Sequence, residues 1–350
     1  MPEAFANAID KNGFQKYIIR ISKTIVRGEF FTMFRKLFLP IGIALSIAVS
    51  FIWPDPGIAF KSLRYGEYLT ANNLMIIITF LVCGWNVDIG STRFDRKFLL
   101  LFLGGAVMAL IISPLMGVGV AKVFRLAALP ATGLIVAAAM PPTLSSGIVL
   151  TETANGNSLL SILMTVGYNL MSVVTIPLML AFCISSEGNI DTNPVKMFIQ
   201  LVALVLVPSV IGFGAGKLAK RKLPPFFTYL SSTAVIMLVW GFFSSSCEHF
   251  KQHPLSSLLQ EGAGALVLHI ALLLVVWYGS AALKIGKSER KALLFTGVSK
   301  TITITITILT IIGATTGAAL VPALVYYFVQ SIVDSSLAGK MGLSAGSENC

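Results

Sequence analysis

The sequence predicts an all-α membrane protein of ten transmembrane helices, and three observations support that prediction. Hydrophobic residues make up 55% of the 350 residues and charged residues only 12%, and the mean hydropathy is +0.84. Soluble domains carry roughly 25% charged residues, so this deficit of charge is typical of a membrane protein. Ten apolar runs also approach the ~20 residues that a helix needs to cross a bilayer, and nearly all charges lie between the runs.

The ten predicted spans follow the apolar runs, with two short ones first. They are Leu37 to Trp53, Asn73 to Ile89, Phe98 to Val120, Leu129 to Val149, Ser158 to Cys183, Met197 to Gly216, Phe226 to Phe243, Gly264 to Leu283, Leu293 to Ile312 and Ala319 to Leu337.

The distribution of Lys and Arg between alternate loops predicts the orientation. Nineteen of these residues fall on the side of the N-terminus and six on the other side, and the remaining one, Lys300, lies inside a span. Cytoplasmic loops carry the excess of Lys and Arg, so both termini are predicted to be cytoplasmic. The short loops suit a multi-pass protein of a bacterial inner membrane, and the net charge of +11 follows from the inner loops, so we expect no nucleic-acid partner.

Two halves of five spans predict the domain organisation. Because each half has an odd number of spans, structural repeats would have to be inverted, as in many secondary transporters. The predicted boundaries are 37–186 and 187–341 for the repeats and 342–350 for a short tail. Residues 1–36 alternate basic and apolar side chains, which predicts an amphipathic helix on the inner leaflet, either passive or a regulatory arm.

The fourth and ninth spans are both interrupted. Pro141 and Pro142 break the fourth, and polar residues follow, namely Thr143, Ser145 and Ser146; Gly297, Ser299, Lys300 and Thr301 interrupt the ninth. Irregular backbone at membrane depth is tolerated only against protein or a wet cavity. Matching breaks in corresponding spans indicate a binding site, although a simple proline kink is the alternative for the fourth span.

Hydroxyl groups near the first break could bind a cation. Ser161 and Thr165 stand one turn apart on the fifth span, and Ser145 and Ser146 follow the prolines. Hard cations prefer oxygen ligands, so these hydroxyls and freed carbonyls predict a sodium site. Serine and threonine one turn apart also occur where helices merely pack closely.

Lys300 is a basic residue deep inside a span, and Asp334 and His269 are ionisable groups within other spans. A charge at that depth is a candidate for function, as a substrate counter-ion, a titrating group or a tethered cation, unless it reaches the interface along a broken helix. Asp334 is expected either to take part in proton coupling or to bond another helix, and His269 to pack. No nucleotide-binding or hydrolase motif stands in a usable context, so the chain is predicted not to be an enzyme.

The run from Met140 to Leu150 resembles the bile acid:sodium symporter family, solute carrier family 10, and within it the member-seven-like branch with SBF-like bacterial proteins. The run from Phe295 to Thr301 is similar to the ninth helix of that branch, and the resemblance covers Leu37 to Met341. It implies inverted five-helix repeats, a panel of spans one, two, six and seven, and a core in which spans four and nine cross. It also implies sodium as the coupling ion, with the matching hydroxyl positions at Ser145, Ser146, Ser161 and Thr165. Thr296 and Ser299 are two further predicted sodium ligands.

The chain departs from the family pattern in the ninth span. Phe295 stands where the family has a carboxylate shared by two sodium sites, and no glutamine of the third span lies near Ala109. We therefore expect that one sodium site survives and that the Lys300 ammonium replaces the second ion. Pro141, Pro142, Thr143, Lys300 and Thr301 are the predicted residues of substrate binding and coupling.

The predicted function is sodium-coupled symport of a small organic anion, a bile-acid-like molecule or another carboxylate or sulfonate, by alternating access. Lys300 and the scarcity of acids favour an anionic ligand. Two alternatives stay open: an antiporter in which Lys300 titrates, although Asn169 stands where that plan has an acid, and a non-transporting regulator or receptor. The oligomeric state is open, and a monomer fits.

Overall fold

The computed structural model describes residues 38–39, 41–65, 69–86, 96–143, 146–184, 193–221, 223–247, 251, 254–314 and 317–347. The predicted amphipathic helix within 1–36 and the candidate ligand Ser145 lie outside these residues. The described part is helical throughout, except for one short antiparallel pair, β1 (Arg64–Tyr65) and β2 (Leu69–Thr70). The prediction of an all-α membrane protein is therefore confirmed.

Thirteen helices are described, and every predicted span overlaps at least one of them. They are α1 (Ile41–Ile52), α2 (Asp55–Ser62), α3 (Ala71–Trp85), α4 (Arg96–Val123), α5 (Ala128–Ala139), α6 (Ser146–Thr153), α7 (Ser158–Ile184), α8 (Pro194–Ala219), α9 (Pro225–Ser244), α10 (Leu255–Ala282), α11 (Lys287–Val298), α12 (Ile302–Ile311) and α13 (Gly317–Ser347).

Six spans of the described chain are long and apolar enough to cross a membrane, or seven if α1 and α2, which meet at 109°, count as one. The six are α4, α7, α8, α10, α13 and the broken pair α11 and α12; α3, α5 and α9 are shorter apolar helices. Burial distinguishes the broken pair: 94% of its apolar window is buried, against 28% to 56% for the other five. The pair therefore lies at the centre of the protein.

Helix contacts divide into two neighbourhoods. In the first, α3 packs against α8 and α9, and α9 also packs on α2. In the second, α13 packs against α5 and α10, and α11 packs against α6, α7 and α10. Close approach of α5 and α13 requires Gly133, because a Cβ there would collide with the carbonyl of Ala319. Small residues allow such backbone contact between helices in a membrane.

Two helices differ most from the predicted spans. Helix α10 begins at Leu255 instead of Gly264, and it includes the buried Glu261. Helix α13 continues to Ser347, through the predicted boundary at residue 341.

Helix α12 consists of alternating isoleucine and threonine, a pattern that in a soluble protein would indicate a strand. It is helical, as the apolar context predicted. The hydroxyls of Thr305, Thr307 and Thr310 each donate to the carbonyl four residues earlier, at 2.7, 2.9 and 2.8 Å. This back-bonding satisfies each hydroxyl inside its own helix, so the apolar surroundings tolerate the threonines.

Candidate functional site

The two interrupted spans meet at their breaks. Helix α5 ends at Ala139 and α6 begins at Ser146, while α11 ends at Val298 and α12 begins at Ile302. The N–H of Thr301 donates to the carbonyl of Pro141 at 3.1 Å, so one break supplies the hydrogen-bond partner that the other lacks. The prolines have no N–H of their own, which keeps the helix from closing over this point. We call the two stretches 140–143 and 299–301 the crossing.

Helix α13 holds the second stretch of the crossing in place. The side chain of Gln330 accepts a hydrogen bond from the Lys300 N–H at 2.8 Å and donates one to the Lys300 carbonyl at 2.7 Å. One turn earlier, the Tyr326 hydroxyl donates to the carbonyl of Val298 at 3.1 Å. Backbone groups freed by the break are thus satisfied by side chains of a neighbouring helix, as buried backbone requires. Sequence reasoning missed Gln330, although an amide in an apolar helix was a usable signal.

Asn169 holds the first stretch in an equivalent way. Its Nδ2 donates to the Pro142 carbonyl at 3.0 Å and to the Thr165 carbonyl at 2.8 Å. Asn169 lies one turn beyond Thr165, which lies one turn beyond Ser161, so the same side of α7 carries all three. This amide is a structural donor to the crossing, and it stands where an antiporter of the alternative plan would carry a carboxylate.

A carbonyl of α4 is free because of a local change in helical winding. Residues Met108–Ile112 form a π-helical turn, in which the N–H of Ser113 bonds to the Met108 carbonyl. The next residue, Pro114, has no N–H. Neither the i+4 nor the i+5 partner therefore reaches the Ala109 carbonyl, and it is left without a helical hydrogen bond. Turns of this kind often occur at functional sites.

The Lys300 ammonium binds to that free carbonyl. Its Nζ donates to the Ala109 carbonyl at 2.7 Å, and only 2% of the residue is exposed. None of the described carboxylates forms an ion pair with it. The lysine is therefore buried and does not extend along the broken helix to the interface, which settles that alternative. A positive charge bound to a backbone oxygen stands where a small cation could otherwise bind.

A cluster of hydroxyl groups lies beside the crossing, between α6, α7 and α11. Ser161 Oγ and Thr296 Oγ1 share a hydrogen bond of 2.6 Å, and Thr151 Oγ1 lies 3.3 Å from Ser161 Oγ while donating to the Gly147 carbonyl at 2.7 Å. All three side chains are fully buried. Thr151 was not among the predicted ligands, because sequence reasoning assigned it to the helix end.

Two further hydroxyls of the predicted sodium set have no partner among the described residues. They are Thr165 Oγ1 and Ser299 Oγ, and both are buried. Burying a hydroxyl without a hydrogen bond costs roughly 1–3 kcal/mol, so a native protein normally gives such a group a ligand, an ion or a water. Hydroxyl and carbonyl oxygens are ligands that sodium takes in broken-helix transporters. The residues present therefore fit a sodium ion.

The remaining predicted residues take different places. Thr143 and Ser146 are hydrogen-bonded to each other at the start of α6. Pro141, Pro142 and Thr301 contribute backbone atoms to the crossing. Among the described residues, no group of three His, Cys, Asp or Glu could hold a metal ion.

An apolar cavity of about 170 Å³ opens between α3, α7 and α8. It lies next to the crossing, because Asn169 both lines the cavity and bonds Pro142. Its other polar lining side chain is Ser209, and the described lining includes no charged residue. The cavity can therefore accept the apolar body of a small ligand.

Comparison with known proteins identifies the family. Residues 38–342 match the family model of the SBF-like CPA transporter family. The chain belongs to this family. The SBF-like family lies within the bile acid:sodium symporter superfamily, so the protein is a membrane transport protein and not an enzyme.

Relatives in the SBF-like neighbourhood include plant and animal proteins. The chain is 24% identical over 327 residues to the probable sodium/metabolite cotransporter BASS4, chloroplastic, of Arabidopsis thaliana, covering 86% of this chain and 71% of the relative. It is 24% identical over 329 residues to the sodium/bile acid cotransporter 7 of Danio rerio, covering 87% and 93%. It is 27% identical over 186 residues to BASS4 of Oryza sativa subsp. indica, and this match covers 53% of this chain and 43% of the relative.

Proposed function

We propose that this protein is a sodium-coupled symporter of a small organic anion that works by alternating access. The observation that supports it most is the crossing itself: two broken helices share a hydrogen bond between Thr301 and Pro141, beside two buried hydroxyls without partners. The names of its relatives, which are sodium/metabolite and sodium/bile acid cotransporters, point the same way.

Sodium would bind next to the crossing, between α7 and α11. The unpartnered hydroxyls of Thr165 and Ser299 would be ligands, and the hydrogen-bonded pair Ser161 and Thr296 supplies further oxygens. Ser146 lies at the start of α6, and Ser145 precedes it in the chain. Binding there would satisfy two hydroxyls that the protein leaves unsatisfied, which makes sodium entry favourable.

The Lys300 ammonium would replace a second sodium. It is bound to the Ala109 carbonyl at 2.7 Å, and it carries the charge that a second ion would bring. A tethered cation cannot leave, so a chain of this design would couple fewer sodium ions to each substrate. The positive charge of Lys300 also favours an anion in the neighbouring cavity, because the described lining of that cavity includes no charged residue that would compete with it.

The substrate would combine an apolar body with a single anionic group. The cavity between α3, α7 and α8 would take the apolar part, and the crossing would take the anionic end, which the backbone N–H groups at the start of α12 favour. In this reading α3, α8 and α9 belong to the panel, and alternating access is a movement of that panel against the core across the cavity.

We further propose ten spans in two inverted five-helix repeats, with both termini in the cytoplasm of a bacterial cell. Single cysteines placed near Lys122 and near Lys284 test the orientation. A membrane-impermeant thiol reagent added to whole cells is expected to label the first and not the second. Equal labelling of both would contradict the ten-span arrangement.

The test of transport begins with purified protein. A thermal-shift screen of carboxylates and sulfonates with apolar tails of graded length, with and without sodium, is expected to show stabilisation that requires both. The ligand found is then followed in proteoliposomes with imposed sodium and proton gradients. Uptake driven by sodium supports symport, exchange driven by a proton gradient supports the antiporter, and ligand binding with no flux supports a receptor.

A further inference from the structure

His269 and Asp334 form a buried pair that the proposed sodium and substrate sites do not use. His269 Nε2 lies 2.9 Å from Asp334 Oδ1, and the two residues are 0% and 1% exposed. They join α10 to α13, so the interhelical bond expected of Asp334 is present. His269 was expected only to pack, and the structure gives it an ionisable partner.

The pair has two protonation states, and each leaves something unsatisfied. In the neutral state one proton lies between the two residues and a second proton is on His269 Nδ1, where no described atom accepts its hydrogen bond. When the Nδ1 proton leaves, Nδ1 becomes a bare acceptor, which is easier to leave unpaired, but the pair then carries a net charge of −1 in a buried place. The cost of a buried charge opposes the cost of an unpaired N–H, so neither state is held firmly.

The pair is connected to the crossing through one side of α13. The ring of Tyr326 packs edge-on against the His269 ring, with 5.2 Å between centroids, and the Tyr326 hydroxyl bonds Val298. Gln330, which binds both backbone groups of Lys300, lies one turn from Asp334, about 6 Å along the axis. Residues 326, 330 and 334 therefore stand one turn apart on the same side, and they link the pair to the break.

Few other charges face this pair. Helices α5 and α12, which pack against α13, carry no titratable side chains. On α10, Glu261 lies two turns from His269. At the inner end of α11, Glu289 binds Lys97, Arg290 binds the Trp277 carbonyl and Lys291 binds the Ala154 carbonyl. The other titratable groups on packed helices are Tyr229 on α9, Glu152 on α6, Arg96 and Lys122 on α4, Tyr278 on α10, Lys287 on α11, and Tyr326, Tyr327 and Lys340 on α13. Among the described residues, Lys300 is the buried cation that is linked to the pair, through Gln330 on α13.

We infer that His269 and Asp334 are a proton-binding site, linked through Tyr326 and Gln330 to the backbone of the crossing. The site takes one proton from water and changes its charge from −1 to 0. A negative pair balances the positive Lys300, and a neutral pair does not, so proton binding changes the electrostatic balance on both sides of α13. The proton is then a second ion, beside sodium, on which the conformation of the crossing depends.

Nuclear magnetic resonance of isotope-labelled histidine tests the binding of the proton. The chain has three histidines, so His249→Gln with His253→Gln leaves His269 as the sole imidazole of the full-length protein in lipid nanodiscs. We expect the Nδ1 signal to change between its protonated and unprotonated forms as pH is varied. An Nδ1 that keeps one form over the whole pH range in which the protein stays folded would overturn the inference.

Variants identify the partner. Asp334→Asn is expected to change the pH dependence of the His269 signals, because it removes the carboxylate 2.9 Å away. Glu289→Gln is the matched control, since it removes a carboxylate paired with Lys97 at 3.0 Å instead. The same response to both variants would contradict a specific pair.

Hydrogen exchange at residues 299–302 tests the link to the crossing. Wild type and Asp334→Asn are compared at each pH, so that the intrinsic pH dependence of exchange cancels. We expect the ratio of their exchange rates to change with pH as the pair takes up its proton, and we expect this ratio to stay constant with pH when both proteins also carry His269→Gln. A ratio that stays constant with pH would show that the pair titrates without affecting the crossing. Neither measurement uses sodium or a substrate, so failure of the symport proposal would leave the result intact.

Discussion

Pro114 is predicted to hold Lys300 in place without touching it. Substitution of Pro114 by Ala restores an N–H on α4, and either helical register then gives the Ala109 carbonyl a backbone partner. If the π-helical turn persists, residue 114 donates to Ala109; if the helix rewinds, Ser113 does. In both cases the Lys300 ammonium, now 2.7 Å from that oxygen, has to share its acceptor.

The expected size of the effect follows from the hydrogen bond between the Lys300 ammonium and the Ala109 carbonyl, which the substitution weakens. A hydrogen bond to a charged group contributes about 1.5–3 kcal/mol, and none of the described carboxylates forms an ion pair with the ammonium that could replace it. That corresponds to a loss of about 10- to 150-fold in the population that holds the lysine. Removing a proline from a helix interior can itself stabilise the helix by up to ~3 kcal/mol, so the single variant is ambiguous.

Helix α8 provides the matched control. It contains a second π-helical turn, Val202–Leu206, in which Val207 bonds to the Val202 carbonyl and Pro208 follows. Pro208→Ala therefore restores an N–H in the same local geometry, and Lys300 does not bind there. The difference between the two proline variants isolates the contribution of the lysine.

The assay is a double-mutant cycle with Lys300→Met, measured by unfolding midpoints and by sodium-driven uptake in proteoliposomes. We expect a coupling energy of about 1.5–3 kcal/mol between positions 114 and 300, and none between positions 208 and 300. Equal behaviour of the two proline variants, or additive effects at 114 and 300, would refute the argument.

Four further substitutions test other parts of the site. Lys300→Ala should abolish transport or change its sodium stoichiometry, and an unchanged rate and sodium dependence would contradict the role of a tethered cation. Thr165→Val and Ser299→Ala should leave stability unchanged or raise it, because each removes a buried hydroxyl without a partner, yet both should weaken sodium-dependent stabilisation in thermal-shift titrations. Gln330→Leu should lower stability by about 2–6 kcal/mol, since it leaves the N–H and carbonyl of Lys300 unsatisfied, and hydrogen exchange at residue 300 should rise.

The Thr165 and Ser299 variants have a control in the same cluster. Thr296→Val breaks the 2.6 Å hydrogen bond with Ser161 and should cost about 1 kcal/mol of stability. Loss of stability by Thr165→Val to the same extent would show that its hydroxyl has a partner, which would argue against a vacant ion ligand.

Sequence patterns predicted an all-α membrane protein and the breaks in the fourth and ninth spans, because apolar runs and prolines act locally. The count of ten spans stays a prediction, since six or seven spans of the described chain are long and apolar enough to cross a membrane. The sequence patterns also predicted that Ser161, Thr165 and Lys300 lie near the breaks. What they missed depends on tertiary contacts: Gln330 and Asn169 are polar residues whose partners are backbone atoms far along the chain. The π-helical turn at Met108–Ile112 was missed because Pro114 was assigned to an ordinary span, and only the structure shows which carbonyl it frees.

The carbonyls of Pro141 and Pro142 and the backbone and ammonium of Lys300 are each paired with a different part of the fold, and this makes the site sensitive to helix movement. The Pro141 carbonyl depends on the α11–α12 connection, the Pro142 carbonyl on α7, the backbone of Lys300 on α13 and its ammonium on α4. A relative displacement of any of these helices removes a ligand or frees an oxygen. An ion or substrate that binds one arrangement more tightly therefore shifts the population toward it, which is the physical requirement for coupling binding to transport.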